Sequence, residues 1–493
     1  MKVVLINPYE IGRQPFGLAE PAAWLTRAGC EVCCLDLTLQ RLEPEVLHDA
    51  RVVAIYVAMH TATRIALEAI PRVRAIAPEA HLCVYGLYAP MNEKLLRDLG
   101  VQTVLGGEVE PALVSLVERL RAGESAIATF PMARRTSEAS RALITSRVPR
   151  LGPIGDGQEQ TEPVVNLSRI EFVTPDRRAL PPLARYAHLQ LPDGGRKTVG
   201  FAEGSRGCKH LCRHCPVVPV YHGMFRVIPV EVVMADVRQQ VAAGAQHISF
   251  GDPDFLNGPT HALKLVHSLH AEFPDITYDA TIKIQHLINH AEMLPVLKAT
   301  GCLFITAAVE SVDDQVLELL AKNHTNRDFA RAVALCRAAG IALAPTFVAF
   351  TPWTTLEGYI ALLKRLLELD LVESVPPIQL AIRLLVPQGS ALLKLPGFVD
   401  SLDAFDPKLL GYPWRHADAR VDALQRAVQA WVAEAEANNR TRRDIFARIR
   451  KLAYAAIGKG APALPAKIGA PIPRLSEPWY CCAEPTDEQL QSF

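Results

Sequence analysis

The sequence predicts an α/β protein: a doubly wound, Rossmann-type parallel sheet, then a full or partial parallel barrel, then a helical region with an extended tail. Short apolar runs alternate with amphipathic helices up to about residue 125, and the alternation returns at a longer spacing from about 198 to 400. After residue 400 the apolar residues recur with the period of a helix. A chain of 493 residues with 49% hydrophobic and 21% charged residues is neither disordered nor fibrous.

The first 125 residues contain five short apolar runs that predict the strands of the first sheet. These runs are 3–6, 31–35, 52–57, 81–86 and 103–107. Ligands of such sheets bind beyond the carboxyl ends of the strands. Small residues there, such as Gly106 and Gly107, leave two interpretations open, a binding site or a tight strand-to-helix turn.

Residues 126–197 are rich in Pro, Arg, Ser and Gly and show no sustained period, which predicts a linker. The barrel domain is assigned to 198–400, because repeated strand–helix units are typical of barrels with chemistry at the strand C-termini. Its predicted strands are 247–250, 277–280, 303–309, 344–350 and 379–385. We assign 401–460 to a helical region and 461–493 to an extended tail, since the Pro- and Ala-rich stretch before Trp479 can bury little.

The charge balance and the N-terminus bear on partners and location. The 52 basic residues balance 52 acidic ones, so no overall field draws the chain to nucleic acid or to a membrane, and neither is expected as a partner. The apolar start ends at Asn7-Pro8, too early for a signal peptide, and no stretch approaches the ~18 apolar residues of a membrane span. We therefore expect a cytoplasmic protein.

Eleven cysteines in a cytoplasmic chain of this size are not expected to form a disulfide framework. Six of them lie in apolar strand-like runs and are predicted to pack in the core. These six are Cys30, Cys33, Cys34, Cys83, Cys302 and Cys336. Two clusters remain, the vicinal pair Cys481 and Cys482 in the tail, and Cys208, Cys212 and Cys215 within eight residues.

The second cluster predicts a metal site. Four thiolates would close an iron–sulfur cluster or a zinc site, whereas three leave one coordination position open, which a reactive centre needs. The alternative is a structural zinc ion whose fourth ligand is a neighbouring histidine. The candidate histidines are His210, His214 and His222.

The spacing Cys208-x-x-x-Cys212-x-x-Cys215 resembles the cluster loop of the radical S-adenosylmethionine enzymes. The resemblance implies a partial (β/α)6, TIM-like barrel and a [4Fe-4S] cluster on these three cysteines, with S-adenosylmethionine on the fourth iron. His214 stands where the family often has an aromatic residue, which implies an altered contact to adenine. The resemblance also implies a small-molecule substrate and an electron donor such as flavodoxin or ferredoxin.

Further segments resemble the parts of this family that bind S-adenosylmethionine. The segment after the strand 247–250 resembles the part that meets the methionine amino group, and this implies Gly251, Asp252 and Asp254 as cofactor-binding residues. Glu310 ends a later strand and resembles the acidic ribose contact. His286, His290 and Asp254 are candidates for the barrel mouth, and a core or solvated position is the alternative for each.

The N-terminal domain resembles the cobalamin-binding-like domain that precedes the barrel in one large subclass. The signature that supplies an axial histidine to cobalamin, Asp-x-His-x-x-Gly, is missing, because the chain reads Asn-Pro-Tyr-Glu-Ile-Gly over 7–12. Some relatives bind cobalamin without that histidine and others have lost it. Cobalamin is therefore left open.

The segment Cys481-Cys482-Ala-Glu-Pro resembles the C-terminal signature of the CUAEP/CCAEP-tail radical enzymes, in which the second cysteine position is selenocysteine in some members. A position that accepts sulfur or selenium implies a soft nucleophile or a ligand for a soft atom. Cys481 and Cys482 are therefore the catalytic candidates. An inert or oxidised tail is the alternative.

Together these resemblances imply an enzyme that cleaves S-adenosylmethionine reductively and modifies a small molecule, with the vicinal cysteines assisting. Two other reactions stay open: aminocarboxypropyl transfer to a thiol-bound metalloid such as arsenite, and cobalamin-dependent methyl transfer. The non-catalytic alternative is a zinc-stabilised protein whose N-terminal sheet binds a small molecule.

Overall fold

The computed structural model describes residues 1–123 and 164–477. The first part of the predicted linker and the vicinal pair Cys481 and Cys482 lie outside the described residues.

Six parallel strands form the N-terminal sheet. In chain order they are β1 (Lys2–Asn7), β2 (Glu31–Asp36), β3 (Val52–Tyr56), β4 (His81–Tyr85), β5 (Thr103–Gly107) and β6 (Val164–Asn166). Their spatial order is β2-β1-β3-β4-β5-β6, so the direction of winding reverses between β1 and β3. In open sheets of this kind the crevice at such a reversal is the usual ligand site. The doubly wound sheet predicted from the sequence is thereby confirmed.

Five helices cover the two faces of this sheet. They are α1 (Phe16–Arg27), α2 (Pro44–Leu47), α3 (His60–Ile76), α4 (Glu93–Asp98) and α5 (Glu110–Arg121). Successive strand residues point to opposite faces: Val4 packs in one buried cluster with Ile65 of α3, whereas Val3 packs with Leu18 of α1 and Leu116 of α5. Both faces are buried, which explains why the strands are apolar throughout.

The described part of the predicted linker is more structured than its composition suggested. Its residues 164–166 form β6, which pairs with β5 as the edge of the N-terminal sheet. Arg177 is buried and donates hydrogen bonds to Gln14 at 2.8 Å, to Asp236 at 2.6 Å and to the carbonyl of Phe201 at 2.6 Å. This one side chain ties the first domain to the second.

The second unit contains a curled half-barrel sheet and a small hairpin. Its strands are β7 (His188–Gln190), β8 (Arg196–Ala202), β9 (Ser205–Gly207), β10 (Phe225–Val227), β11 (His247–Phe250), β12 (Thr277–Thr281), β13 (Cys302–Glu310), β14 (Ala342–Phe347) and β15 (Arg474–Leu475). The sheet has the order β14-β13-β12-β11-β8-β7-β15, and its strands from β14 to β8 are parallel. The antiparallel pair β9 and β10 stands apart from it.

Helices alternate with the parallel strands, as the predicted barrel requires. They are α6 (Val218–Tyr221), α7 (Val230–Ala242), α8 (Pro259–Glu272), α9 (Ile284–Asn289), α10 (Leu294–Ala299), α11 (Asp314–Leu319), α12 (Asn326–Ala338) and α13 (Leu356–Glu368).

The last of the five strands predicted for the barrel, 379–385, is not formed. Residues Pro377–Leu380 make a short 3₁₀ helix, and the strand is reduced to a single parallel bridge between Phe350 and Arg383. Pro377 begins this 3₁₀ helix, a position that suits its fixed φ and its missing N–H, and the helix takes the first two residues of the predicted strand.

The C-terminal region is helical, as predicted, with α14 (Ala419–Ala437) and α15 (Arg442–Ala456) packed on the barrel core. Asp418 and Thr441 accept the first backbone N–H bonds of these helices as N-caps. The Pro- and Ala-rich stretch after α15 buries Ile468 and ends in β15, which pairs with β7 at the sheet edge.

No helix in the described ranges is long and apolar enough to span a membrane.

Candidate active site

The three clustered cysteines lie in a loop between β9 and β10. Gly207, the last residue of β9, has a φ of +73°, and a Cβ atom there would collide with the Met224 carbonyl. The chain therefore turns sharply into Cys208. The side chains of Cys208, Cys212 and Cys215 all line one cavity of about 290 Å³ at the carboxyl ends of the barrel strands. The structure thus brings the three predicted ligands together.

Asp252, at the end of β11, supports the start of this loop. Its carboxylate accepts hydrogen bonds from the Gly204 backbone N–H at 2.9 Å and from the Ser205 hydroxyl at 2.5 Å. The residue is buried, and burial raises its pKa to about 6 although both bonds act to lower it. Asp252 and Gly251 also line the cavity.

Glu310 lies at the end of β13, where the register shifts and the backbone takes a φ of +70°. A non-glycine residue in that region is strained, and such strain concentrates at functional sites. The Glu310 carboxylate lies 3.2 Å from Nε2 of His214 and 3.3 Å from Nζ of Lys322. Burial alone would raise the pKa of Glu310, but Lys322 and His214 lower it to about 2. The side chain is therefore held as a carboxylate facing the cavity.

Asp254 lines the same cavity and lies between two imidazole rings. Its Oδ2 is 2.7 Å from Nδ1 of His286 and 3.4 Å from Nε2 of His210. Burial raises the pKa of Asp254, but the two imidazoles lower it to about 2. His290 lies beside His286 with ring centroids 5.7 Å apart and is partly exposed.

A second cavity of about 230 Å³ adjoins the first, between the N-terminal sheet and the barrel. It lies at the winding reversal, because the loops after β1 and β3 contribute Glu10 and Met59 to its wall. Arg13, Met59 and Leu87 line both cavities. Small residues at the strand ends, including Gly86 and Gly107, line it too.

A buried group of one arginine and four glutamates lies at the wall of this second cavity, which Arg206, Glu110 and Glu203 line. Arg206 of β9 pairs with Glu20 of α1, with Glu108 at 3.0 Å, with Glu110 at 2.9 Å and with Glu203 at 3.4 Å. The cysteine loop is thus anchored to the N-terminal sheet by the strand that precedes it. The sequence carried no signal for this network, nor for Lys322, because the partners are distant in the chain.

Glu10, in the wall of the second cavity, makes the free energy of unfolding depend on pH. Burial raises the pKa of Glu10 to about 8, although Arg13 opposes this. Between the ordinary carboxyl pKa of 4.5 and 8 the folded chain holds a proton that the unfolded chain does not. The free energy of unfolding must therefore fall as the pH rises through this window, by at most about 5 kcal/mol for this one group.

We expect Glu10→Gln to flatten this slope. The variant should melt at a higher temperature than the wild type at pH 8.5 and at nearly the same temperature at pH 5, as measured by circular dichroism. The exposed Glu43→Gln is the matched control and should change neither value. A variant that is less stable than the wild type at pH 8.5 would contradict this assignment.

The described part of the tail ends beside these cavities. The Tyr9 hydroxyl donates a hydrogen bond to the carboxylate of Glu477, and a Cβ atom on Gly12 would collide with the same carboxylate. Burial raises the pKa of Glu477, and the positive charge of Arg13, the residue after Gly12, acts to lower it. Glu477 therefore lies at the loop after β1, close to Arg13, which lines both cavities.

Comparison with known proteins agrees with this geometry. Residues 203–354 match the family model of the Radical SAM superfamily, so this region is a radical SAM domain. The fold is similar to that of the radical S-adenosylmethionine methyltransferase TsrM from Kitasatospora setae, which was solved with cobalamin and a [4Fe-4S] cluster bound. The TM-score is 0.58 and the identity is 20%, and the match covers 75% of this chain and 70% of that chain. The fold is also similar to that of the cobalamin-dependent S-adenosylmethionine radical enzyme OxsB, which was solved with aqua-cobalamin bound. Here the TM-score is 0.65 and the identity is 15%, and the match covers 88% of this chain and 67% of that chain.

Proposed function

Since the chain is an enzyme with a radical SAM domain, we propose that it cleaves S-adenosylmethionine reductively to modify a small molecule bound between the N-terminal sheet and the barrel. One observation carries the proposal: three thiols of one loop line a cavity that also receives carboxylates from the ends of two strands. The chemistry of these residues fits the cofactors of such a domain, since thiolates bind iron–sulfur clusters. When bound, the cluster and S-adenosylmethionine supply the electron and the carbon radical.

Residues of the chain would bind the cluster and S-adenosylmethionine, orient them and exclude water. Cys208, Cys212 and Cys215 would hold the cluster. Asp252 keeps the loop in place through Gly204 and Ser205. Glu310, kept ionised by Lys322, would accept hydrogen bonds from the ribose hydroxyls.

The role of Glu310 can be tested by Glu310→Gln. Hydrogen bonds to a charged group contribute about 1.5 to 3 kcal/mol, so the variant should bind S-adenosylmethionine roughly 10- to 100-fold more weakly. The measurement is equilibrium binding to cluster-loaded protein. The exposed Glu318→Gln, on α11, should bind as the wild type does. Unchanged affinity in Glu310→Gln, with its iron retained, would remove Glu310 from the binding site.

Cobalamin fits this chain only without a histidine ligand from the N-terminal domain. Among the described residues that line the two cavities, the histidines are His210 and His214, both from the cysteine loop. In the first cavity, the wall contributed by the N-terminal domain has the apolar side chains of Ala58, Met59 and Leu87 beside Arg13 and Tyr88. A corrinoid could pack against these side chains, but nothing in our proposal depends on it.

We assign the assisting role to Cys481 and Cys482. Cys481 is four residues beyond Glu477, so an extended chain could place its Cα atom at most about 13 to 14 Å from that of Glu477. Glu477 itself contacts the loop whose Arg13 lines both cavities. The pair is therefore close enough in sequence to reach bound substrate and act as a soft nucleophile or ligand.

Transfer of the aminocarboxypropyl group to a thiol-bound metalloid is the second candidate, and the vicinal thiols favour it, because two neighbouring thiolates suit trivalent arsenic. Product analysis of the reduced, reconstituted protein with S-adenosylmethionine tests both candidates. 5'-Deoxyadenosine would support the first reaction. Methylthioadenosine, formed only when arsenite is added, would support the second reaction. If neither product formed, both candidate reactions would be contradicted.

A further inference from the structure

Three metal-ligating side chains converge beside the cysteine loop. His210 comes from the loop itself, Asp254 follows β11, and His286 is in α9. One ligand atom from each lies within 4.8 Å of the other two. We call these three residues the histidine–aspartate cluster.

The ligand atoms of this cluster lie close enough together to share one metal ion. Metal–ligand bonds of about 2.0 to 2.1 Å at tetrahedral angles place neighbouring ligand atoms about 3.3 Å apart. Oδ2 of Asp254 lies 3.4 Å from Nε2 of His210 and 2.7 Å from Nδ1 of His286, on either side of that value. The second nitrogen of His286, Nε2, lies 3.3 Å from Nε2 of His210, but an imidazole gives a metal ion only one of its nitrogens.

Burial without hydrogen bonds is the second observation. Asp254 is 2% exposed and His286 is 4% exposed. Oδ1 of Asp254 faces the backbone N–H groups of Leu256 and Lys283, each at 3.4 Å, and so has partners. Oδ2 of Asp254 and Nδ1 of His286 are both buried, and although they lie 2.7 Å apart, neither has a partner in hydrogen-bond geometry within 1–123 and 164–477. Buried polar atoms that form no hydrogen bond need an explanation, and a metal ion bound by both atoms would provide one.

We propose that the histidine–aspartate cluster binds one divalent transition-metal ion, either zinc or ferrous iron. Two imidazoles and one carboxylate are ligands that these ions share, whereas calcium and magnesium prefer oxygen ligands alone. Three protein ligands leave a coordination position open. Because His210 and Asp254 line the cavity, that position faces the substrate space. This site is separate from the cysteine site and goes beyond the proposed function. It makes Asp254 a metal ligand, in place of the contact to S-adenosylmethionine that the sequence implied.

Metal analysis of the full-length, cluster-loaded protein tests this site. The protein is incubated anaerobically with zinc in one arm and ferrous iron in the other, freed of unbound metal, and analysed for zinc, iron and sulfide. The wild type should retain about one ion per chain beyond the cluster, and His286→Gln and Asp254→Asn should each lose at least about nine-tenths of it. Asparagine keeps the shape of Asp254 and the backbone contacts of Oδ1. His290→Gln, next to the cluster but outside it, should retain the ion.

Zinc X-ray absorption on the wild type covers the case in which a variant fails to fold. Nitrogen and oxygen ligands at about 2.0 to 2.1 Å would support the site, and sulfur ligands at about 2.3 Å would place the zinc on cysteines and overturn it. Retention of no extra ion by the wild type, or equal retention by all variants, would also overturn it. Failure to assemble the iron–sulfur cluster would appear separately, as missing iron and sulfide.

Discussion

Cys212→Ser should give a folded protein that holds no iron–sulfur cluster and cleaves no S-adenosylmethionine. Cys212 is buried in the wall of the cavity, between the two other ligands of the loop. A serine hydroxyl does not replace a thiolate towards iron, so only two ligands of the cluster remain. We expect iron to fall from about four per chain to nearly none, and cleavage to fall by at least about 10³-fold, because this chemistry has no other source of the electron.

Cys33→Ser is the matched control for this variant. Cys33 is a half-buried cysteine of β2, in the other domain, and its replacement should leave iron and turnover unchanged. Circular dichroism distinguishes cluster loss from unfolding. A Cys212→Ser protein that keeps four irons and full cleavage would show that the loop is not the ligand set.

Replacing Cys481 and Cys482 together by serine should separate substrate turnover from cofactor cleavage. If the pair acts on substrate, the double variant keeps its cluster and its slow basal cleavage of S-adenosylmethionine. Loss of a nucleophile commonly lowers turnover by about 10³-fold or more, so stimulation by substrate should disappear. Since the substrate is unidentified, the probe is a small-molecule extract of the source cells, and the measurement is consumption of S-adenosylmethionine with and without it.

The same extract should stimulate the wild type and the Cys33→Ser control equally. Each single variant, Cys481→Ser and Cys482→Ser, shows which of the two sulfur atoms is required. Equal stimulation of the double variant and the wild type would exclude the tail from the mechanism.

Local patterns in the sequence predicted much of this structure. The apolar runs of β1 to β5 and of β11 to β14 are continuous in the chain, so their periodicity could be recognised directly. The cysteine loop was equally visible, because its three ligands fall within eight residues. The predicted strand at 379–385 was wrong, because a 3₁₀ helix that begins at Pro377 takes its first two residues and only one bridge, at Arg383, is formed.

The surroundings of the site could not be predicted in this way. Glu310 meets His214 across 96 residues of chain, and Arg206 meets Glu108 across 98. Pairings of this kind depend on how the strands and the two domains pack, and no local pattern records them. The predicted linker illustrates the same point, because β6 is a strand only by virtue of its partner β5.

The central claim is that Cys208, Cys212 and Cys215 hold an iron–sulfur cluster, and elemental analysis of the anaerobically purified, reconstituted protein tests it most directly. Iron, acid-labile sulfide and zinc should be measured on the same sample, with a visible spectrum. We predict a brown protein with about four irons and four sulfides per chain, all lost together in Cys212→Ser. A colourless protein with zinc on its cysteines and no iron would contradict the account and favour a zinc-stabilised binding protein.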